Sequence, residues 1–198
     1  TSDEITLAES GSLAVSSVET LIGAGDTDVA TMLNAGSLKV SSIETVIGSS
    51  GTDVVTLLET GALAVDGVET VIGSGGEDDV VTLLAADALS VGSVASVIGT
   101  SGATDTVHLL GTGTVAVSGI ETVVGSTGVN VVELDDGETL AVSAVETVLG
   151  ERISAGLVVV KTDHRAPTAH VEIVEATHPV PDAAGVAVAQ GLGFAGDA

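Results

Sequence analysis

Five repeats of this 198-residue chain place an acidic or amide side chain five or six residues after a glycine. The glycines are Gly23, Gly48, Gly73, Gly99 and Gly125. The side chains that follow are Asp28, Asp53, the pair Asp78 and Asp79, Asp105 and Asn130. Turns rich in oxygen suit hard cations: calcium takes roughly six to eight oxygens from carboxylates and carbonyls. The same spacing also has a mechanical use, in which glycine permits a tight corner and the Asp carboxylate caps it without any metal. A second acidic column, Glu19, Glu44, Glu69, Glu121 and Glu146, recurs in a VET-like element. Stacked at the ~4.8 Å strand spacing, such carboxylates repel by roughly 1 kcal/mol in water, so the column reads as a solvated face or a ribbon for cations. His108 has no second histidine near it in the repeat and reads as a surface residue. Cysteine is absent, which excludes disulfides, thiol catalysis and thiolate-bound zinc.

These side chains ride on a repeat. Residues 43–58, IETVIGSSGTDVVTLL, return in variant form at 18–33, 68–84, 94–110 and 120–134, and a partial copy closes at Gly150. The glycines ending each VETVIG-like run are spaced by 25, 25, 26, 26 and 25 residues. A fixed period of this size means units that bury their apolar faces against their neighbours. Abundant Val, Thr and Ile with an apolar period of two indicate strands, not helices. The expected fold is a right-handed parallel β-solenoid of about six coils of 25–26 residues with three short strands each. The handedness follows the crossover rule.

Alternation assigns the faces. Ala30, Val55, Val81, Val107 and Val132 form one inward column, and Met32, Leu57, Leu83, Leu109 and Leu134 another, with Thr31, Thr56, Thr82, His108 and Glu133 outward between them. In the second strand Leu38, Leu63 and Leu89, then Val40, Val65 and Val91, point inward. In the third, Ile43 and Val68 point inward and the glutamates outward. Continued alternation turns Thr45 and Thr70 inward and leaves Leu21, Val46, Val71, Val97, Val123 and Val148 as an exposed apolar stripe. Such a stripe implies contact with a second copy, side by side or end to end. The chain also starts within a repeat, since TSDEITL matches GTDVVTL at 51–57, which is expected of a processed product or a piece of a longer array.

Hydrophobic residues make up 44% of the chain and aromatics 1%, which suits stacked aliphatic columns better than a globular core. The formal charge is −24, and within residues 1–150 Lys39 is the one basic residue against 22 acidic ones. Nucleic acid is excluded as a partner because phosphate binding needs basic patches. Anionic membranes are disfavoured, and no apolar run is long enough for a helix to span a bilayer. Divalent cations and copies of the chain itself remain as partners. Residues 151–198 differ in composition: they hold three of the four basic residues, all three prolines and three of the four histidines. Strands at 157–161 and 170–175, a turn at Pro179 and Pro181, and a short helix at 183–190 are expected there. The division is therefore a solenoid domain at 1–150 and a small α/β appendage at 151–198, able to cap the stack.

Two resemblances add to this. The turn GSSGTDVVT at 48–56 resembles the GGxGxDxUx nonapeptide of RTX-type calcium-binding β-rolls, with Ser49 for the second glycine. That resemblance implies a right-handed coil and calcium at Asp28, Asp53, Asp78, Asp79, Asp105 and Asn130. The second is in the tail. Residues 152–190, with GLVVVK and HPVPDAAG, resemble a segment of the bacterial glycerate 2-kinase family, although that family's glycine-rich phosphate-handling segments are missing. The expected function is structural and not enzymatic: an acidic, self-associating module outside the cell or on a bacterial cell surface, in a fibre or an adhesin. A calcium-binding secreted β-roll and an inactive glycerate-kinase-like fragment are the alternatives.

Overall fold

The computed structural model describes residues 3–25, 27–76, 78–101, 104–134 and 140–150, and the backbone of strands Val159–Val160 and Glu172–Glu175. Every regular element among them is a β-strand. Twenty short strands make two ten-stranded sheets, and neighbours within each sheet run parallel. Consecutive strands alternate between the sheets. The fold is thus a parallel β-solenoid, as the repeat implies.

The coil differs from the expected one. It contains two strands, not three, and it is shorter than the sequence repeat. Pairing offsets are 16 residues at Val54↔Thr70, 17 at Gly36↔Asp53 and 20 at Thr70↔Ser90. One repeat still supplies three strands, for example Asp53–Leu57, Ala62–Asp66 and Thr70–Ile72. Three strands in a two-strand coil make one and a half turns, so successive repeats face opposite ways. Two repeats close three coils. The cause is that all three strands carry the same inward-outward alternation and any one can stack on any other. The sequence period counts strands per repeat but does not contain the angle turned at each corner.

The core between the sheets is a stack of aliphatic side chains. Val55, Leu57, Leu63 and Val65 are buried, with Thr56 and Ala64 alternating outward between them. Ile43, Val68, Val94, Ile120 and Val145 fill the corners. The third strand has the opposite phase from the one expected. Leu21, Val46, Val71, Val97, Val123 and Val148 are buried, and Thr45 and Thr70 lie half-buried on the outer faces. The physical reason is a left-handed residue just before each corner: Ser17, Ser42, Gly67, Ser93, Gly119 and Ala144 have φ between 52° and 64°. The chain turns there, Ile43 and Val68 plug the corner, and the strand proper begins only at Thr45 and Thr70. Inward positions across the corner are therefore three residues apart, not two.

In the tail, Val159–Val160 adds to the sheet ending in Ala141–Ser143, and Glu172–Glu175 to the one ending in Thr147–Gly150. Both expected tail strands thus extend the stack. The expected helix at 183–190 and the turn at Pro179 lie outside the described residues.

Candidate functional site

The recurring acidic residues mark one corner per repeat, and its parts follow from backbone geometry. At Gly48 the chain passes so close to the next coil that a Cβ would lie 1.8 Å from the carbonyl oxygen of Gly67. Gly23, Gly73, Gly99 and Gly125 meet the carbonyls of Ser42, Ser93, Gly119 and Ala144 in the same way. These glycines are required by close approach. The residue in the left-handed conformation supplies the carbonyl that touches them.

This crowding leaves backbone amides pointing into a buried corner, and the Asp takes them up. Asp53 Oδ1 accepts from the Gly36 amide at 3.0 Å and Oδ2 from the Ser49 amide at 2.5 Å. Asp28 accepts likewise from Gly11 and Ala24, Asp79 from Gly61 and Ser74, and Asp105 from Asp87 and Thr100. The hydroxyls of Ser74 and Thr100 add a further bond to their aspartates at 2.9 Å. One oxygen thus closes the local turn while the other clasps the coil below. All four aspartates are fully buried. Burial alone would raise the Asp28 carboxyl, but the amides of Gly11, Ala24 and Gly25 outweigh it and hold its pKa below the ordinary value. Asn130 solves the same corner with different atoms: its Nδ2 donates to the Gly128 carbonyl at 2.8 Å, and its Oδ1 accepts from Ser126 Oγ. Of the pair Asp78 and Asp79, Asp79 occupies the corner and Asp78 is exposed.

The glutamate column belongs to the same construction. Glu44, Glu69, Glu121 and Glu146 accept, through Oε2, the backbone amides of Asp28, Asp53, Asp105 and Asn130 at 2.6–2.7 Å. Glu19 does so for Asp3. These carboxylates lie neither on a free solvated face nor in a ribbon. Successive repeats face opposite ways, so glutamates on one edge recur only every third coil, ~14 Å apart, and their mutual repulsion is small. Ala95 stands where a sixth glutamate would fall, on the coil after Asp79.

The same geometry separates the expected metal ligands. Asp28 and Asp79 open strands of one sheet and Asp53 and Asp105 strands of the other, so no two of them share a corner. Calcium needs several oxygens around one point. Here each carboxylate is enclosed by hydrogen-bond donors, and no group of three acidic or histidine side chains converges among the described residues. This donor set does not fit a calcium cage.

Outside the corners, His108 is exposed on an outer face. Glu59 is also exposed; the hydroxyls of Ser41 and Ser42 hold its carboxyl below the usual range against a smaller opposing effect of burial. Two grooves of about 490 and 210 Å³ lie at equivalent places two repeats apart. Glycine, serine and the ends of apolar strands line them, with Glu133 in the larger and Glu44 and Glu59 in the smaller. Two features escaped the reading of the sequence. The left-handed Ser, Gly or Ala was legible as the residue before each corner Ile or Val. The exposed leucines Leu33, Leu58, Leu84 and Leu110 were legible as the second member of ML or LL doublets, since only one of two adjacent strand residues can face the core.

A family model described as a domain of unknown function, DUF4147, which is associated with glycerate kinase-like proteins, matches residues 100–193. The match begins within the solenoid at the Asp105 corner, includes the 152–190 stretch, and covers less than half of the chain. No curated protein and no solved structure matches.

Proposed function

We propose that this chain is a structural module: an acidic β-solenoid exported by a bacterium and displayed as part of a fibre or adhesin, associating with its own copies. The observation that carries this reading is what the acidic side chains do. Their carboxylates bind backbone amides and tie coil to coil, a role in rigidity. Most outward strand positions are short or β-branched, which suits contact surfaces more than a reaction centre. We read the RTX-like turn as a corner in which amide hydrogens stand where that family holds calcium. Negative-stain microscopy and sedimentation of the purified chain test the proposal. Rods that join into longer or wider assemblies support it, and isolated short rods under every condition contradict it.

A second reading rests on the DUF4147 match: residues 100–193 derive from a glycerate-kinase-like protein. Phosphorylation of glycerate by the purified chain with ATP and magnesium would favour it over the structural reading.

A further inference from the structure

The exposed large apolar side chains are not scattered. Leu58 is 48% and Ile72 37% exposed, and the register Thr56↔Ile72 makes them diagonal neighbours on adjacent coils of one sheet. Leu110 and Val124 repeat this pair on the same face through His108↔Val124. Leu33 with Ile47, and Leu84 with Ile98, form it on the opposite face through Thr31↔Ile47 and Thr82↔Ile98. Diagonal neighbours lie ~7–8 Å apart, so each pair makes one apolar knob. A small residue follows three of the four knobs: Gly92 and Ser143 on the first face, in register with Ile72 and Val124, and Ser118 on the second, in register with Ile98; Asp66 follows Ile47. Each face is therefore a ridge of knobs and notches with a period of three coils, ~14 Å.

The charge is elsewhere. Among outward positions of the strands between residues 4 and 149, one face carries only Glu4 and Lys39 as charged residues, and the other only Asp66 and Glu133. Among the described residues, most of the exposed acid therefore lies at the two edges. Because a repeat makes one and a half turns, the two faces are built from the same residues.

We infer that each outer face seats the face of a second copy, knob into notch, and that this pairing is open-ended. The inference rests on the self-association proposed above and names the surface that carries it. A face of nine strands is ~40 Å long and ~12 Å wide, so one face pair removes ~1,000 Å² from water, the lower bound of a specific interface. Each rod has two such faces, and pairing through one leaves an equivalent one free, so assembly does not stop at a dimer. Edge charges oppose it, and added salt strengthens it.

The test is sedimentation velocity of the full chain over a range of protein concentration, in low and high salt. The parent chain is expected to form species larger than dimers. Leu58→Lys with Ile72→Lys blocks one face and should stop assembly at the dimer; adding Leu84→Lys and Ile98→Lys should give a monomer. These lysines lower the net negative charge, so lost association cannot come from added repulsion. A control with the same charge change at the turns, Ser50→Lys with Ser101→Lys, should assemble like the parent. If circular dichroism shows that the lysine variants lose their strands, Leu58→Thr, Ile72→Thr, Leu84→Thr and Ile98→Thr replace them, with loss of assembly again expected. Assembly unchanged by blocking both faces overturns the inference and leaves self-association standing. A parent chain that stays monomeric at all concentrations and salts removes both.

Discussion

Replacing Asp53 by alanine removes the fully buried acceptor of two backbone amides, those of Gly36 and Ser49. A buried donor left unpaired costs roughly 1–3 kcal/mol, so the two together cost about 4 kcal/mol. Domains are stable by only ~5–15 kcal/mol, which makes this a large fraction. With a urea dependence of about 2 kcal/mol per molar, the unfolding midpoint should fall by about 2 M. Asp53→Asn should be far milder. Its corner has the length of the Asn130 corner, five residues from the glycine, so the new amide group has carbonyls at residues 49 and 51 to donate to, as Asn130 does at 126 and 128. A loss of about 1–2 kcal/mol is expected, one ordinary hydrogen bond. Urea unfolding followed by circular dichroism, run in calcium and again in chelator, reads both variants. The losses should be the same in the two buffers. An alanine variant within 1 kcal/mol of the parent would refute the amide clasp, and a loss seen only with calcium would make the corner a metal site.

Other perturbations follow from the same geometry. Gly48→Ala drives a Cβ to 1.8 Å from the Gly67 carbonyl and should cost about 3 kcal/mol, whereas Gly61→Ala, whose Cβ meets nothing within 4 Å, should be neutral or slightly stabilising in the same urea assay. Leu57→Asp puts an unpaired charge into the core and should unfold neighbouring coils, while Thr56→Asp, one residue away and outward, should cost under ~1 kcal/mol; thermal melts compare them. The Asp28 carboxyl is held below its ordinary value near 3.8, so its contribution is fully present above that pH and is lost as pH falls through the lower folded value. Melting temperature should accordingly stay level down to about pH 4 and fall in stronger acid, and Asp28→Asn should flatten that fall.

How much of this was legible in the sequence depends on what sets each feature. The inward columns of Val55 and Leu57, and of Leu63 and Val65, follow from alternation within one strand, which sequence records directly. The corner was legible as Gly48 with Asp53 because close approach and amide capture both demand particular residues. The phase of the third strand was not. Alternation from Val68 through Glu69 to Val71 crosses a corner whose only sign is the left-handed Gly67, a serine in three of the other repeats. Alternation therefore puts the exposed stripe on Val71 and Val97, which are buried; the exposed residues are their neighbours Ile72 and Ile98. The number of strands per coil was also hidden. It depends on whether three corners together turn the chain through one revolution or one and a half, and no single residue type carries that angle.

That angle decides how the coils stack, and cross-linking measures it directly because the chain has no cysteine of its own. In a two-strand coil Lys39 and Thr56 are register partners on one face, while Thr31 and Thr56 lie on opposite faces. In a three-strand coil of 25 residues Thr31 and Thr56 would instead stack directly, with Lys39 on another side. Paired cysteines at 39 and 56, and at 31 and 56, can be treated with a linker just long enough to join adjacent strands, ~4.8 Å apart, and too short to cross two sheets ~10 Å apart. Rapid intramolecular linking of the 39–56 pair with none at 31–56 is the predicted result, and linking of the 31–56 pair alone would contradict it.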